Sequence, residues 1–267
     1  MARNAAAPPP PAPRPAGVVA IDGPSGSGKS TVARRVAQRL GYRYLDTGAM
    51  YRAVTWQALE HRVDLEDTAA LAELAERAHL EPGTNPRRPT IAIDGVDVSA
   101  PIRTRAVTNA VSAVSAVPAV RDVLVRLQRR LIEGGGIVVE GRDIGTTVAP
   151  DAPLKVFLTA SSEARAARRH RQLAAVGDTA AETDTLAEIE RRDARDSGRA
   201  ASPLAQAPDA VVVDSTSRTV DEVVGEVLAA AARLGLAPKR RPRRPARTGA
   251  AARSAGAAGA GTAEAGP

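Results

Sequence analysis

The chain mixes short, continuous apolar runs with longer stretches in which apolar positions recur every three or four residues. Val18-Val19-Ala20-Ile21, Ile137-Val138-Val139-Glu140, Lys155-Val156-Phe157-Leu158-Thr159-Ala160 and Ala210-Val211-Val212-Val213-Asp214 are of the first kind. Runs of this length, rich in β-branched residues and without polar alternation, predict strands buried on both faces. Tyr44-Leu45-Asp46 adds a shorter one. The helical period predicts helices over Thr31 to Leu40, Ala49 to about His61, Asp64 to Ala78, Arg103 to about Ser115, Ala119 to Glu133, Ser162 to about Ala175, Leu186 to about Asp196 and Val220 to Leu234. Gly41 and Gly134-Gly135-Gly136 supply two of the stops. Thr90 to Val98 alternates around Asp94-Gly95 and predicts a small hairpin. Strands alternating with helices give an α/β fold, a parallel sheet covered by helices on both faces, with ligands just beyond the strands' C-terminal ends. The small strands and helices at about 80–117 have the look of an inserted subdomain.

The residues after the first strand carry the strongest chemical signal. Gly23-Pro24-Ser25-Gly26-Ser27-Gly28-Lys29-Ser30 fits the phosphate-binding pattern of Gly, four residues, Gly, Lys, Ser or Thr, and a predicted helix starts at Thr31. Backbone N–H groups of such a loop turn inward around phosphate oxygens, and the helix N-terminus adds partial positive charge. Lys29 is placed to reach the β and γ phosphates of ATP, and the Ser30 hydroxyl to ligate Mg2+.

Composition then narrows the setting. The 267 residues contain no Cys, which removes disulfides, thiolate metal sites and a catalytic thiol, and agrees with a reducing, cytoplasmic location. No apolar run reaches the length of a membrane span, and Pro8 to Pro11 stand where a signal peptide would have its apolar core. The net charge of +7 resides in the ends: residues 17–237 carry −1, whereas the segment from Pro238 has seven cations against Glu264. Both ends are rich in Pro, Ala and Gly with little to bury, so disorder is expected over 1–15 and 238–267, around a single domain at 16–237. Nucleic acid is not expected as a partner except through that basic tail.

Arginine supplies 34 of the 37 basic residues. Arg165, Arg168 and Arg169 share one helix face, and Arg192, Arg195 and Arg199 form a second stripe, although Glu188 with Arg192 also fits an ordinary helix ion pair. Phosphoryl transfer accounts for such a surplus, because its loose transition state asks chiefly for alignment and charge neutralisation. An acceptor that is itself a phosphate is mostly dianionic at pH 7 and needs guanidinium forks rather than a general base. No Asn-Lys-x-Asp stretch reads guanine, and the few aromatic residues offer no stacking platform for a nucleic-acid strand.

Several landmarks, in order, resemble the bacterial cytidylate kinases over about Val18 to Leu234: Ile21-Asp22-Gly23 to Ser30, Asp46-Thr47-Gly48-Ala49-Met50-Tyr51-Arg52, Asp97-Val98-Ser99, Gly141-Arg142-Asp143-Ile144-Gly145-Thr146, and Arg192-Asp193-Ala194-Arg195-Asp196 with Arg199. The resemblance implies a P-loop kinase core, an inserted CMP-binding subdomain at about 80–117, a helical lid at about 162–200, and a monomer that transfers the γ-phosphate of ATP to CMP or dCMP. It further implies that Gly23 to Thr31 hold ATP, with Lys29, Arg142, Arg199 and the lid residue Arg165 as catalytic groups. Thr47 and Arg52 would lie on the CMP side, Arg142 and Arg199 on the acceptor phosphate, and Arg192 with Asp196 on the sugar. Ser112, Arg121 and Asp143 would read the base. Two positions depart from the family's commonest residues: Thr47 stands where Ser is frequent and Glu140 where Asp is frequent, both bearing on the Mg2+ region. Another small acceptor such as UMP, or a binding module working through the tail, stays open at this stage.

Overall fold

The computed structural model describes residues 17–174, 182–199 and 201–236. The expected disordered ends at 1–15 and 238–267, and the lid residues at 175–181 and 200, lie outside these described residues. Five strands, β1 (Val18–Asp22), β2 (Arg43–Asp46), β6 (Ile137–Glu140), β7 (Leu154–Thr159) and β8 (Val211–Asp214), form one sheet in the order β2-β6-β1-β7-β8. Every neighbouring pair is parallel; β1, β6 and most of β7 are buried as their apolar runs imply, whereas β8, expected to be buried on both faces, is an edge strand with Val212 47% exposed. The register sets Ile21 beside Glu140 and Asp46 beside Glu140, so three strands deliver their polar ends to one edge.

Because successive strand side chains face opposite ways, the sheet separates two cores. Val19, Ile21, Tyr44, Val138 and Leu158 pack on one side with Val32, Val36 and Leu40 of helix α1 (Lys29–Leu40) and Val223, Val224 and Val227 of α8 (Val220–Arg233). Val18, Ala20, Leu45, Ile137 and Val139 pack on the other with α2 (Thr47–Glu60), α3 (Thr68–Arg77), α4 (Arg105–Ala116) and α5 (Pro118–Ile132). The helix ends follow from local chemistry. Asp46 caps α2 by accepting from Ala49 N at 2.9 Å, Gly41 ends α1 with φ 65°, Pro118 opens α5, and Thr219 with Glu222 forms a capping box on α8.

The predicted hairpin is present as β4 (Ile91–Ile93) and β5 (Val96–Asp97), with Asp94 and Gly95 both at positive φ as a two-residue turn of the primed kind requires. A third strand, β3 (Leu80–Pro82), pairs antiparallel with β4. At three residues and ending in Pro, it carries too little pattern to be read from sequence. Other boundaries shift as well. Asp67 caps α3, so it starts at Thr68 and not Asp64; a 3-10 turn at Pro101–Arg103 delays α4 to Arg105; and a π turn at Ile144–Val148 follows β6 where no element was expected. Helices α6 (Ser162–Ala174) and α7 (Glu182–Ser197) follow β7, the second starting four residues earlier than its apolar period suggests.

Gly23, at φ 145°, lies so close to β7 that an added Cβ would sit 2.0 Å from the Leu158 carbonyl oxygen. Gly225, inside α8, has no atom within 4 Å of such a Cβ. Gly23→Ala should therefore destabilise the chain by about 2 kcal/mol or more, whereas Gly225→Ala should stabilise it by about 0.5–1 kcal/mol. Urea denaturation of the two variants checks the contrast.

Candidate active site

A cleft of about 720 Å3 opens at the C-terminal ends of β1, β2 and β6. The phosphate loop forms its floor, α2 and α4 one wall, and α6 and α7 the opposite wall. Of the expected site residues, Ser25 to Thr31, Thr47, Arg52, Ser112, Arg121, Arg142, Asp143, Arg192, Asp196 and Arg199 all line it. Gly23, Pro24 and Arg165 do not.

The loop is held from both sides. Gly28 takes the left-handed conformation at φ 91° and turns the chain into α1. Lys29 donates from Nζ to the Pro24 carbonyl at 2.6 Å and lies 3.4 Å from Ser27 Oγ. Arg165, expected on the ATP phosphates, instead supports the loop from outside the cleft. Its guanidinium donates to the Ser25 carbonyl at 3.0 Å and to the Ala160 carbonyl at 3.1 Å, and it pairs with Asp193, which in turn accepts from Ser25 N at 3.2 Å. The α6 arginines that reach the cleft wall are Arg168, Arg169 and Arg171, with Arg168 3.0 Å from Ser215 Oγ.

Carboxylates organise the rest. Asp22 accepts from Ile144 N at 2.8 Å and Gly145 N at 2.7 Å, which fixes the turn just after Arg142 and Asp143. Burial pushes its pKa up to about 6, although those two N–H groups pull it back. Glu140 accepts from Ser30 Oγ at 3.0 Å and from the Tyr44 hydroxyl, while its carbonyl accepts from Thr47 Oγ1 at 2.7 Å. Burial, reinforced by the Asp46 charge, raises the Glu140 carboxyl to about 7. Asp143 forms a buried ion pair with Arg121, which also donates to the Ser115 carbonyl at 3.2 Å and lies over the Tyr51 ring at 5.3 Å. Asp196 accepts from Arg142 Nε at 2.9 Å. Burial pushes the Asp196 carboxyl up, but Arg142, Arg192 and Arg199 together outweigh it and hold the group below the usual range.

The cations crowd one another. Burial depresses Lys29 well below its ordinary value, and Arg142 depresses it further. Arg52 is lowered to about 9 by burial and by Arg192, and Arg192 to about 10 by burial and by Arg142. Arg121 Nε, Arg192 Nε and Arg199 Nη2 are buried donors with no protein acceptor. Buried donors and depressed cations around a phosphate loop fit a ligand bearing several phosphate groups. Ser30 and Glu140 suit Mg2+ in the same way, since that ion takes one or two protein oxygens and completes its shell with water and phosphate.

The comparisons with known proteins decide the family. The cytidylate kinase family model matches residues 19–233. Curated cytidylate kinases from Nocardia farcinica and Streptomyces avermitilis are 56% identical over 211 residues and 54% over 212. Each alignment covers 79% of this chain, with 91% and 90% of the respective relative. This chain belongs to the cytidylate kinase family. It is a phosphotransferase with ATP as the phosphoryl donor. Among solved structures, a gluconokinase from Sinorhizobium meliloti matches with TM-score 0.41 and 21% identity, covering 83% of this chain and 95% of that one, too distant to bear on the acceptor. No helix among the described residues is long and apolar enough to cross a membrane.

Sequence reading missed Arg103, Thr108, Ser215 and Arg218 on the cleft wall. They come from connections, helix starts and an insert helix, where no motif marks them. The part played by Asp22 was also missed, although it stands in the quoted Ile21-Asp22-Gly23 landmark. Its raised pKa gives a test. The contribution of Asp22 is fully present below its unfolded value near 3.8 and is lost as pH rises through about 6. Asp22→Asn should therefore be less stable than the parent, with the gap narrowing by about 2 kcal/mol between pH 4.5 and 7.5. Urea melts at the two pH values measure it, and a constant gap would contradict the assignment.

Proposed function

We propose that this chain transfers the γ-phosphate of ATP to CMP or dCMP, giving ADP with CDP or dCDP, and that the cleft residues divide the work as follows. Backbone N–H groups of Gly26 to Ser30 and the Lys29 ammonium hold the β and γ phosphates of the donor; Lys29 gives up its Pro24 contact and recovers a counter-charge in doing so. Arg142, steered by Asp196, joins Arg199 in a fork on the acceptor phosphate, and Arg192 with Asp196 flanks the sugar. Arg52, oriented by the Ile102 carbonyl at 3.0 Å and Thr108 Oγ1 at 2.9 Å, presents its remaining donors to the same side. Thr47 spends its hydroxyl hydrogen on Glu140, so toward the acceptor nucleotide it offers oxygen lone pairs. Ser30 would hold Mg2+ with Glu140 beside it, and the positive charge the ion supplies would favour phosphoryl transfer.

The observation that carries the choice of base is the buried Arg121–Asp143 pair in the wall of the cleft that contains Lys29. Cytosine offers an exocyclic amine beside the N3 and O2 acceptors, which complements a carboxylate beside a guanidinium, with Ser112 in the same wall. Uracil would set an oxygen against the carboxylate, so the site discriminates by an unpaired acceptor as well as by a favourable contact. The acceptor phosphate is already mostly dianionic near neutrality, and none of these residues has to act as a general base. Closure of α6 and α7 over both nucleotides would exclude water from the transferring group.

We assign the acceptor-binding subdomain to about 80–117, the lid to about 162–200, and activity to the monomer, because the described residues of one chain bring together all the groups assigned above. We assign the reaction to the cytoplasm, in keeping with a chain that has no Cys and acts on ATP.

An ADP-release screen over CMP, dCMP, UMP, AMP and GMP should show the two cytidine nucleotides far ahead; a preference for any other acceptor overturns the reading. Lys29→Ala should fold normally and lose at least about 100-fold in turnover. Asp143→Asn should move the CMP-to-UMP ratio of kcat/KM toward unity by about tenfold or more.

A further inference from the structure

Tyr44 belongs to none of the nucleotide-contacting groups assigned above, yet it is 1% exposed and its hydroxyl is spent on a carboxylate rather than on backbone. The phenol rises from β2 on the α1 face of the sheet, within the core of Val32, Val36 and Val138. Its partner is one oxygen of Glu140, and the other oxygen of that carboxylate receives Ser30 Oγ at 3.0 Å. A continuous chain therefore runs from the hydrophobic core through Tyr44 and Glu140 to the hydroxyl that follows Lys29. Glu140 is 4% exposed, so water has little access to either carboxylate oxygen.

Ser30 is the weak point in the site described above. It is exposed at the first turn of α1, and a serine hydroxyl rotates freely unless something accepts from it. Glu140 supplies that acceptor, but a glutamate has three side-chain torsions and would not by itself hold one orientation. With Tyr44 clamping one carboxylate oxygen, the other is left at a fixed place. Ser30 Oγ then lies 3.0 Å from an oxygen whose place is set. Outer partners of this kind set the orientation of metal-binding groups and typically change metal affinity by about 10–100-fold.

We infer that Tyr44 is a positioning residue for the donor site, fixing Glu140 and through it Ser30 so that a divalent cation meets a preset pair of oxygens. The inference rests on the assignment of Ser30 and Glu140 to Mg2+ under the proposed function. Tyr44 touches no substrate; its effect passes through the carboxylate alone. Its influence should therefore depend on the length of the side chain at 140. Glu140→Asp retracts the carboxylate by one methylene and takes it out of reach of the phenol, so that removing the hydroxyl should matter in the parent and be nearly silent in that background.

The test uses the full chain in four forms: parent, Tyr44→Phe, Glu140→Asp and the double variant. Binding of Mn2+ in the presence of ADP, read by electron paramagnetic resonance without turnover, is paired with the KM for CMP. Tyr44→Phe should weaken Mn2+ binding by about tenfold with the KM for CMP unchanged, and in the Glu140→Asp background the same change should move Mn2+ binding less than twofold. Unchanged Mn2+ binding in Tyr44→Phe, or an equal loss in both backgrounds, overturns the role of Tyr44. A parent that binds no Mn2+ with ADP present overturns the metal assignment itself, and the inference falls with it. Should Tyr44→Phe fail to fold, Tyr44→Phe in the Glu140→Ala background, where the buried charge is gone and no side chain is left for the phenol to place, carries the comparison against Glu140→Ala alone; a tenfold difference between those two overturns a route through residue 140.

Discussion

Burial of several cations in one cleft, with their mutual repulsion added, is the constraint on which the rest of this structure turns. Lys29, Arg52, Arg142, Arg192 and Arg199 share one cleft, and burial together with their own fields makes the charged state of most of them less favourable than in water. A chain would not gather such groups for stability. It gathers them for a ligand whose charge exceeds what its own carboxylates supply, and two nucleotides carrying phosphates meet that need. The parallel sheet makes the arrangement possible, because its strands end together and its apolar faces anchor the backbone from which the cations project.

The carboxylates keep the cations aimed without neutralising them. Asp22 grips backbone N–H groups and so fixes the turn bearing Arg142 and Asp143; Asp196 directs one guanidinium; Asp143 pairs with Arg121 yet keeps a face toward the cleft. Glu140 is spent on hydroxyls from two elements. Arg165 and Asp193 act one layer back, tying the phosphate loop to the lid helices. This last arrangement makes the position of α6 and α7 and the geometry of the loop one linked variable, a connection that a motif for the loop alone does not contain.

The sheet and its connecting helices were legible because buried parallel strands print as uninterrupted Val and Ile runs and helices as apolar repeats. The site was legible where function demands a rare local pattern, as in Gly23 to Ser30, or a residue directly after a strand, as with Arg142 and Asp143. What was not legible depends on three-dimensional proximity. Strand β3 exists because β4 offers an edge to Leu80–Pro82, which no three-residue pattern reveals. Arg165 shares a helix face with Arg168 and Arg169, and periodicity could not tell which of the three turns toward the nucleotide and which supports the loop from behind. Arg103 and Arg218 reach the cleft from connections, where side-chain direction has no period to follow.

The central claim is that cation crowding weakens the ligand-free chain and is relieved by phosphate. It is tested most directly by thermal melts of Arg192→Gln beside the parent, alone and with saturating CMP plus a non-hydrolysable ATP analogue. The account predicts that the variant alone melts no lower than the parent and gains distinctly less on adding the nucleotides. A variant that melts lower by itself yet shows the full ligand-induced rise would contradict it.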